Sequence, residues 1–325
     1  MLAAEPVGAP RGAGCTRGKL SLRQAIALGL LHGPSELLPI SSSAHTTLVP
    51  WLLGWRYGEL DPAMRKSFEV ALHAGAALGL LTRLPWGTGA EYGGGCALAR
   101  AWLSVPASRQ GLAANLATLA GAIGPPGLAG LMLGERIERR FGTPRTIAAG
   151  LLAGSLAMGA GELLAGSRAM GAGEPRARGG RPTPDGRPAH DARPSDGLVL
   201  GAAQALALMP GLSRSGVTTA AARLRGFGRL DADRLSWQVG LPVIAGAALL
   251  QGVRQAGAGI AADQRRALAA GAAAALLSTH LSARLLTPQR RTRLLPATIP
   301  YRLAIAALLT RAVRARAAGT PAKSK

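Results

Sequence analysis

Residues 111–133 read GLAANLATLAGAIGPPGLAGLML and contain no charged side chain over 23 positions. At 1.5 Å of rise per residue such a stretch matches the ~30 Å hydrocarbon core of a bilayer. Further apolar stretches at 24–50, 68–82, 146–165, 197–222, 238–253, 267–283 and 296–310 predict a chain that crosses a membrane several times. Several are short, rich in Gly or interrupted by Pro. Broken helices of that kind are tolerated in a membrane where protein or a cavity surrounds them. The expected fold is therefore an all-α, polytopic membrane helix bundle with re-entrant helices.

The formal net charge of +22, from 38 basic and 16 acidic residues, raises the question of nucleic acid. The basic residues sit in loops and tails between apolar stretches, and aromatics make up only 3% of the chain. That pattern suits anionic lipid headgroups and topology control, with the bilayer and not nucleic acid as partner. Cys15 and Cys96 lie in Gly-rich polar segments without metal-ligand spacing.

Five segments are expected: a polar leader at 1–19, an N-terminal membrane half at 20–165, a flexible loop at 166–196, a C-terminal membrane half at 197–315 and a basic tail at 316–325. Residues 84–110 and 134–145 read as further loops. The 166–196 segment holds five Pro and six Arg and lacks the apolar surface to order itself. The two halves echo one another. GLLHGPSELLPISSS at 29–43 and GAAQALALMPGLSRS at 201–215 share a Gly, a polar residue three positions on (His32, Gln204), a Pro and a Ser-rich turn, with the Pro displaced by one. Related hairpins in two halves are a signature of membrane proteins with a site at a pseudo-symmetric interface, which predicts two inverted repeats.

Ionisable residues inside apolar membrane segments are candidate site residues by default. His32 and Glu36 share one helix face at i and i+4. Pro39 ends or kinks that helix, and Ser41, Ser42, Ser43 and His45 follow. In the second half Pro210-Gly211 precedes Ser213-Arg214-Ser215-Gly216, with Thr218 and Thr219 beyond. A guanidinium fork, hydroxyls and a restarting helix N-terminus all suit phosphate. A carboxylate can hold a divalent cation or move a proton, and histidine can serve as acid, base or nucleophile. His73, Glu69, Glu162 and His280 also lie in or beside apolar stretches. For Glu162 and His280, helix-end or structural roles are at least as plausible as site roles.

At these residues the sequence resembles the bacterial undecaprenyl-diphosphate phosphatases, the bacitracin-resistance family. Gly29 to His45 is similar to the family's first signature, and Pro210-Gly211-Leu212-Ser213-Arg214-Ser215-Gly216 to its second. Weaker likenesses are Phe68-Glu69-Val70 with Gly75, Gln204, Ser236 to Pro242, and Tyr301-Arg302. The resemblance implies a multi-pass enzyme of the bacterial plasma membrane. It would hydrolyse a polyprenyl diphosphate to the monophosphate and inorganic phosphate, recycling the cell-wall carrier lipid, with room for a homodimer.

It also implies Ser42 as nucleophile, with Glu36 and His45 able to take the proton. Arg214 would clamp phosphate, and Ser41, Ser43, Ser213 and Ser215 would bind it. A divalent cation, magnesium or calcium with manganese as the alternative, would be held by Glu36 and His32. His32 departs from the family's usual acid, and Leu212 replaces a Thr. An imidazole adds no negative charge, so hard cations should bind less well and manganese should lose less. The rival expectation from the same features is a non-catalytic transporter or flippase for a phospholipid or anion.

Overall fold

The computed structural model describes residues 18–82, 111–171, 186–256 and 261–318. The leader before residue 18, the whole of the 84–110 interval, residues 172–185, residues 257–260 and the end of the tail lie outside the described residues. What is described is helical, in ten α-helices: α1 (Leu22–Leu37), α2 (Ser42–Leu52), α3 (Pro62–Leu81), α4 (Gly111–Phe141), α5 (Pro144–Gly171), α6 (Pro194–Leu206), α7 (Arg214–Leu224), α8 (Arg229–Ala256), α9 (Ala262–Leu285) and α10 (Pro288–Ala318).

Local chemistry sets several starts. Ser21 caps α1, and Gln24 returns the bond to its backbone. Asp61 caps α3 ahead of Pro62. The stretches 24–50 and 197–222 are each split into two short helices, α1–α2 and α6–α7. The charged run at 134–145 is not the expected loop: α4 continues through it to Phe141, and α5 begins at Pro144. Arg139 and Arg140 end α4 where basic groups complement the helix dipole. The ends of 166–196 are also ordered. Helix α5 runs to Gly171, α6 starts at Pro194, and Arg187 pairs with Phe227 beyond α7.

Polarity is arranged as a bilayer requires. Gly111–Ile137 and Pro144–Ser167 are each long and apolar enough to cross a membrane. Leu156 and Leu163 on α5 are 72% and 75% exposed, whereas Arg302 and Asp196 are 0% exposed. A leucine-covered exterior around a polar interior is costly in water and expected in lipid.

The halves repeat closely. Ser41 and Ser213 are the described non-glycine residues with positive φ, at 74° and 66°, and each caps the helix that follows. They are 172 positions apart, as are Gly54 and Gly226, the positive-φ glycines that follow α2 and α7. The halves also interlock. Helix α9 of the second half packs on α1 and α3, and α4 of the first half packs on α6 and α8. Small residues permit this approach: a Cβ on Gly29 or Gly33 would strike the α9 backbone, and one on Gly197 or Gly201 the α4 backbone. The paired breaks thereby come together in the interior.

Candidate active site

Each break leaves a serine in a left-handed backbone conformation, where a side chain costs about 1–3 kcal/mol and strain of this kind clusters at functional sites. The Ser41 hydroxyl accepts from the Ala44 N–H at 3.4 Å and lies 3.3 Å from the Ser43 hydroxyl. In the second half the Ser213 hydroxyl accepts from the Gly216 N–H at 3.4 Å and lies 3.5 Å from the Ser215 hydroxyl. Ser42 and Arg214 therefore take the same position, first in the restarting helix, in related halves.

These two residues meet at Glu36. The Ser42 hydroxyl donates to Glu36 Oε2 at 2.6 Å. Arg214 Nη2 donates to Glu36 Oε1 at 3.3 Å across 178 residues of sequence. The carboxylate is 9% exposed and the guanidinium 14%. Arg214 is further held by the Ser236 carbonyl, 3.2 Å from Nη1, and by the Trp237 ring, 5.0 Å below its central carbon. A Cβ on Gly240 would collide with the guanidinium. Gly240→Val is thus expected to displace Arg214 and lower turnover by roughly 10²-fold, as misplacement by about 1 Å can. Turnover measured beside an unchanged helical circular dichroism spectrum checks this.

His32 lies one turn before Glu36, with Nε2 4.0 Å from Oε2. His73 on α3 approaches the same oxygen, its Nε2 3.9 Å away. No role for His73 follows from sequence, although an ionisable group in an apolar membrane stretch was the available signal. His45 is turned elsewhere. Its Nδ1–H donates to the Ser41 carbonyl and its Nε2 accepts from the Tyr301 hydroxyl, both at 2.8 Å. It braces the serine turn against α10 and does not bond to Ser42 or Glu36. Ser215 faces a small hollow with Leu37, Pro39, Thr219 and Asp233. Asp233 pairs with Arg291, which covers Trp237 from its own side.

Arg302 joins the two breaks. Its Nη1 donates to the Pro39 carbonyl at 3.0 Å, and its Nη2 to the Gly211 and Leu212 carbonyls at 2.9 and 3.1 Å. Nε donates to the Ser155 hydroxyl at 3.1 Å. One buried guanidinium so holds the segment before Ser41 against the segment before Ser213.

A family profile described as bacitracin resistance protein BacA matches residues 25–308, an interval that includes both breaks and Arg302. The chain belongs to the BacA family. It is 34% identical over 299 residues to a protein of Thermomicrobium roseum named undecaprenyl-diphosphatase, covering 89% of this chain and 97% of that one. A relative of the same name from Pelobacter propionicus is 33% identical over 285 residues, covering 87% of this chain and 94% of that protein. One from Mycobacterium avium is 33% identical over 297 residues, covering 85% and 92%. In this BacA member the donor set near Glu36 suits a divalent cation: a carboxylate and two imidazoles converge, and both ring nitrogens of His32 are buried without a hydrogen-bond partner.

Proposed function

We propose that this protein is a multi-pass phosphatase of the bacterial plasma membrane. It hydrolyses undecaprenyl diphosphate to undecaprenyl phosphate and inorganic phosphate, returning the carrier lipid to cell-wall synthesis. The observation that carries the mechanism is the single carboxylate of Glu36, bonded to Ser42 from one half and to Arg214 from the other.

With the lipid chain between helices, the diphosphate enters the polar interior. The Ser42 oxygen attacks the terminal phosphorus as its proton passes along the 2.6 Å hydrogen bond to Glu36. The P–O bond to the bridging oxygen breaks, and undecaprenyl phosphate departs. Water then hydrolyses the phosphoserine, and Glu36 returns the proton. Arg214 exchanges its bond to Glu36 for the phosphoryl oxygens, which its fork fits. The first N–H groups of α2 and α7 offer further donors, with the hydroxyls of Ser41, Ser43, Ser213 and Ser215 beside them. A divalent cation at Glu36 and His32 would supply charge stabilisation of the transferring oxygens.

The protein purified in detergent is expected to release inorganic phosphate from undecaprenyl diphosphate with magnesium, calcium or manganese present. No release with any of the three, together with uptake of a phospholipid or anion into vesicles, would favour transport. The interlocked halves are the observation on that side.

A further inference from the structure

We propose that His32, His73 and Glu36 form a binding site for one first-row transition-metal ion of the zinc, cobalt or manganese class, with open positions for phosphate oxygens. The metal's use in turnover rests on the phosphatase reading above; the binding itself rests on the ligands alone.

Three electron-rich atoms face one point. Glu36 Oε2 lies 4.0 Å from His32 Nε2 and 3.9 Å from His73 Nε2, and the candidate ligand atoms of the three residues lie within 4.8 Å of one another. These separations are too long for hydrogen bonds, whose N···O distances are ~2.7–3.2 Å. The 3.9 and 4.0 Å separations fit donors to one ion, because two bonds of about 2.1 Å place their donors up to about 4.2 Å apart, and the partly exposed His73 ring can close the remaining few tenths of an ångström in the set. The His32 and His73 rings meet edge to face, with centroids 4.6 Å apart, and the Nε2 of each lies within 4.0 Å of the carboxylate.

The surroundings prepare the donors. His73 Nδ1–H donates to the Glu69 carbonyl at 2.8 Å, so its Nε2 keeps a free lone pair directed at Glu36. Backbone bonding of one imidazole nitrogen is the usual support for metal ligation by the other. His32 is 1% exposed, and neither of its nitrogens has a hydrogen-bond partner. A buried polar group of this kind calls for a partner that is absent from the protein itself.

Ligand chemistry selects the ion. Magnesium and calcium prefer shells of oxygen, whereas two imidazoles and a carboxylate suit zinc, cobalt, iron or manganese. Three protein ligands leave coordination positions open, as in catalytic and not structural metal sites. Ser42 already bonds to the same Glu36 oxygen, so its hydroxyl lies beside the ion.

The test uses full-length protein in detergent, stripped with a chelator and re-equilibrated with each ion. Bound metal is counted by mass spectrometry, and cobalt is followed by its visible d–d absorption. About one equivalent of cobalt or zinc should remain bound in excess magnesium, with affinity higher by roughly 10²-fold or more. His32→Ala and His73→Ala should each weaken cobalt binding at least about tenfold, and His32→Glu should shift preference toward manganese and magnesium. Should the alanine variants misfold, the wild-type spectrum decides: bands displaced from those of the all-oxygen aquo ion support the site, and bands at the aquo-ion positions overturn it. Unchanged cobalt affinity in folded His73→Ala protein also overturns it. Phosphate release from stripped protein that binds no cobalt or zinc would remove the metal site and leave the phosphatase. Tight cobalt binding without turnover under any ion would do the reverse.

Discussion

Glu36→Gln should lower phosphate release by roughly 10³-fold, within the range of about 10²–10⁴ that a positioned general base contributes. The substitution keeps the shape of the side chain and removes both its charge and its capacity to take a proton. The Ser42 hydroxyl, now 2.6 Å from a carboxylate oxygen, would face at best an amide oxygen that accepts a hydrogen bond but cannot take the proton. Arg214 would lose the anion that holds Nη2 at 3.3 Å. A fall in turnover with little rise in KM is expected, because proton transfer belongs to the transition state while the phosphate donors remain. The companion variant Ser42→Ala separates two chemistries. With a serine nucleophile it falls at least as far as Glu36→Gln; with direct water attack it retains turnover well above that variant. Initial rates on undecaprenyl diphosphate, at matched helicity, check both. Glu36→Gln within tenfold of wild type would remove the carboxylate from the proton path.

Much of this site is legible in the sequence because its residues violate the rule for their surroundings. His32, Glu36 and Arg214 are ionisable groups in apolar stretches, and Pro39 and Pro210-Gly211 punctuate helices that would otherwise continue. Serine type does not announce a left-handed backbone, so the shared conformation of Ser41 and Ser213 could not be read beforehand. The repeat was visible as an echo whose Pro spacing slipped by one. The geometry keeps serine aligned with serine, since α2 and α7 are fixed by their caps and not by the prolines ahead of them.

The charged run at 134–145 misled for a different reason. Hydropathy reports where lipid ends, and α4 carries its hydrogen bonds past that point to Phe141. The sequence marks His73 as an ionisable group in an apolar stretch but not its place beside Glu36, because nothing local sets α3 beside α1; α9, from the other half, packs against both.

Arg302→Met should damage stability and activity together. The side chain is 0% exposed, and its donors serve Pro39, Leu151, Gly211, Leu212 and Ser155. Methionine fills part of the volume and takes the donor from the Pro39, Gly211 and Leu212 carbonyls, while Ser155 still donates to the Leu151 carbonyl; a buried polar group left without a partner costs about 1–3 kcal/mol. The losses are not additive, so a total of about 3–5 kcal/mol is a reasonable scale for breaking a buried charged network. A melting temperature lower by several degrees follows. The chemical consequence is larger than the thermal one. Pro39 precedes Ser41 and Ser42, and Leu212 precedes Ser213 and Arg214, so one guanidinium sets the spacing between nucleophile and phosphate clamp. Loss of that tie by about 1 Å is expected to reduce turnover by roughly 10²-fold even below the melting transition. Arg302→Lys tests geometry against charge: it keeps the cation but replaces a planar fork that reaches both breaks with one compact ammonium. Partial recovery of melting temperature without recovery of turnover is the expected split. A lysine variant as active as wild type would show that the charge, and not the two-sided bridge, organises the site.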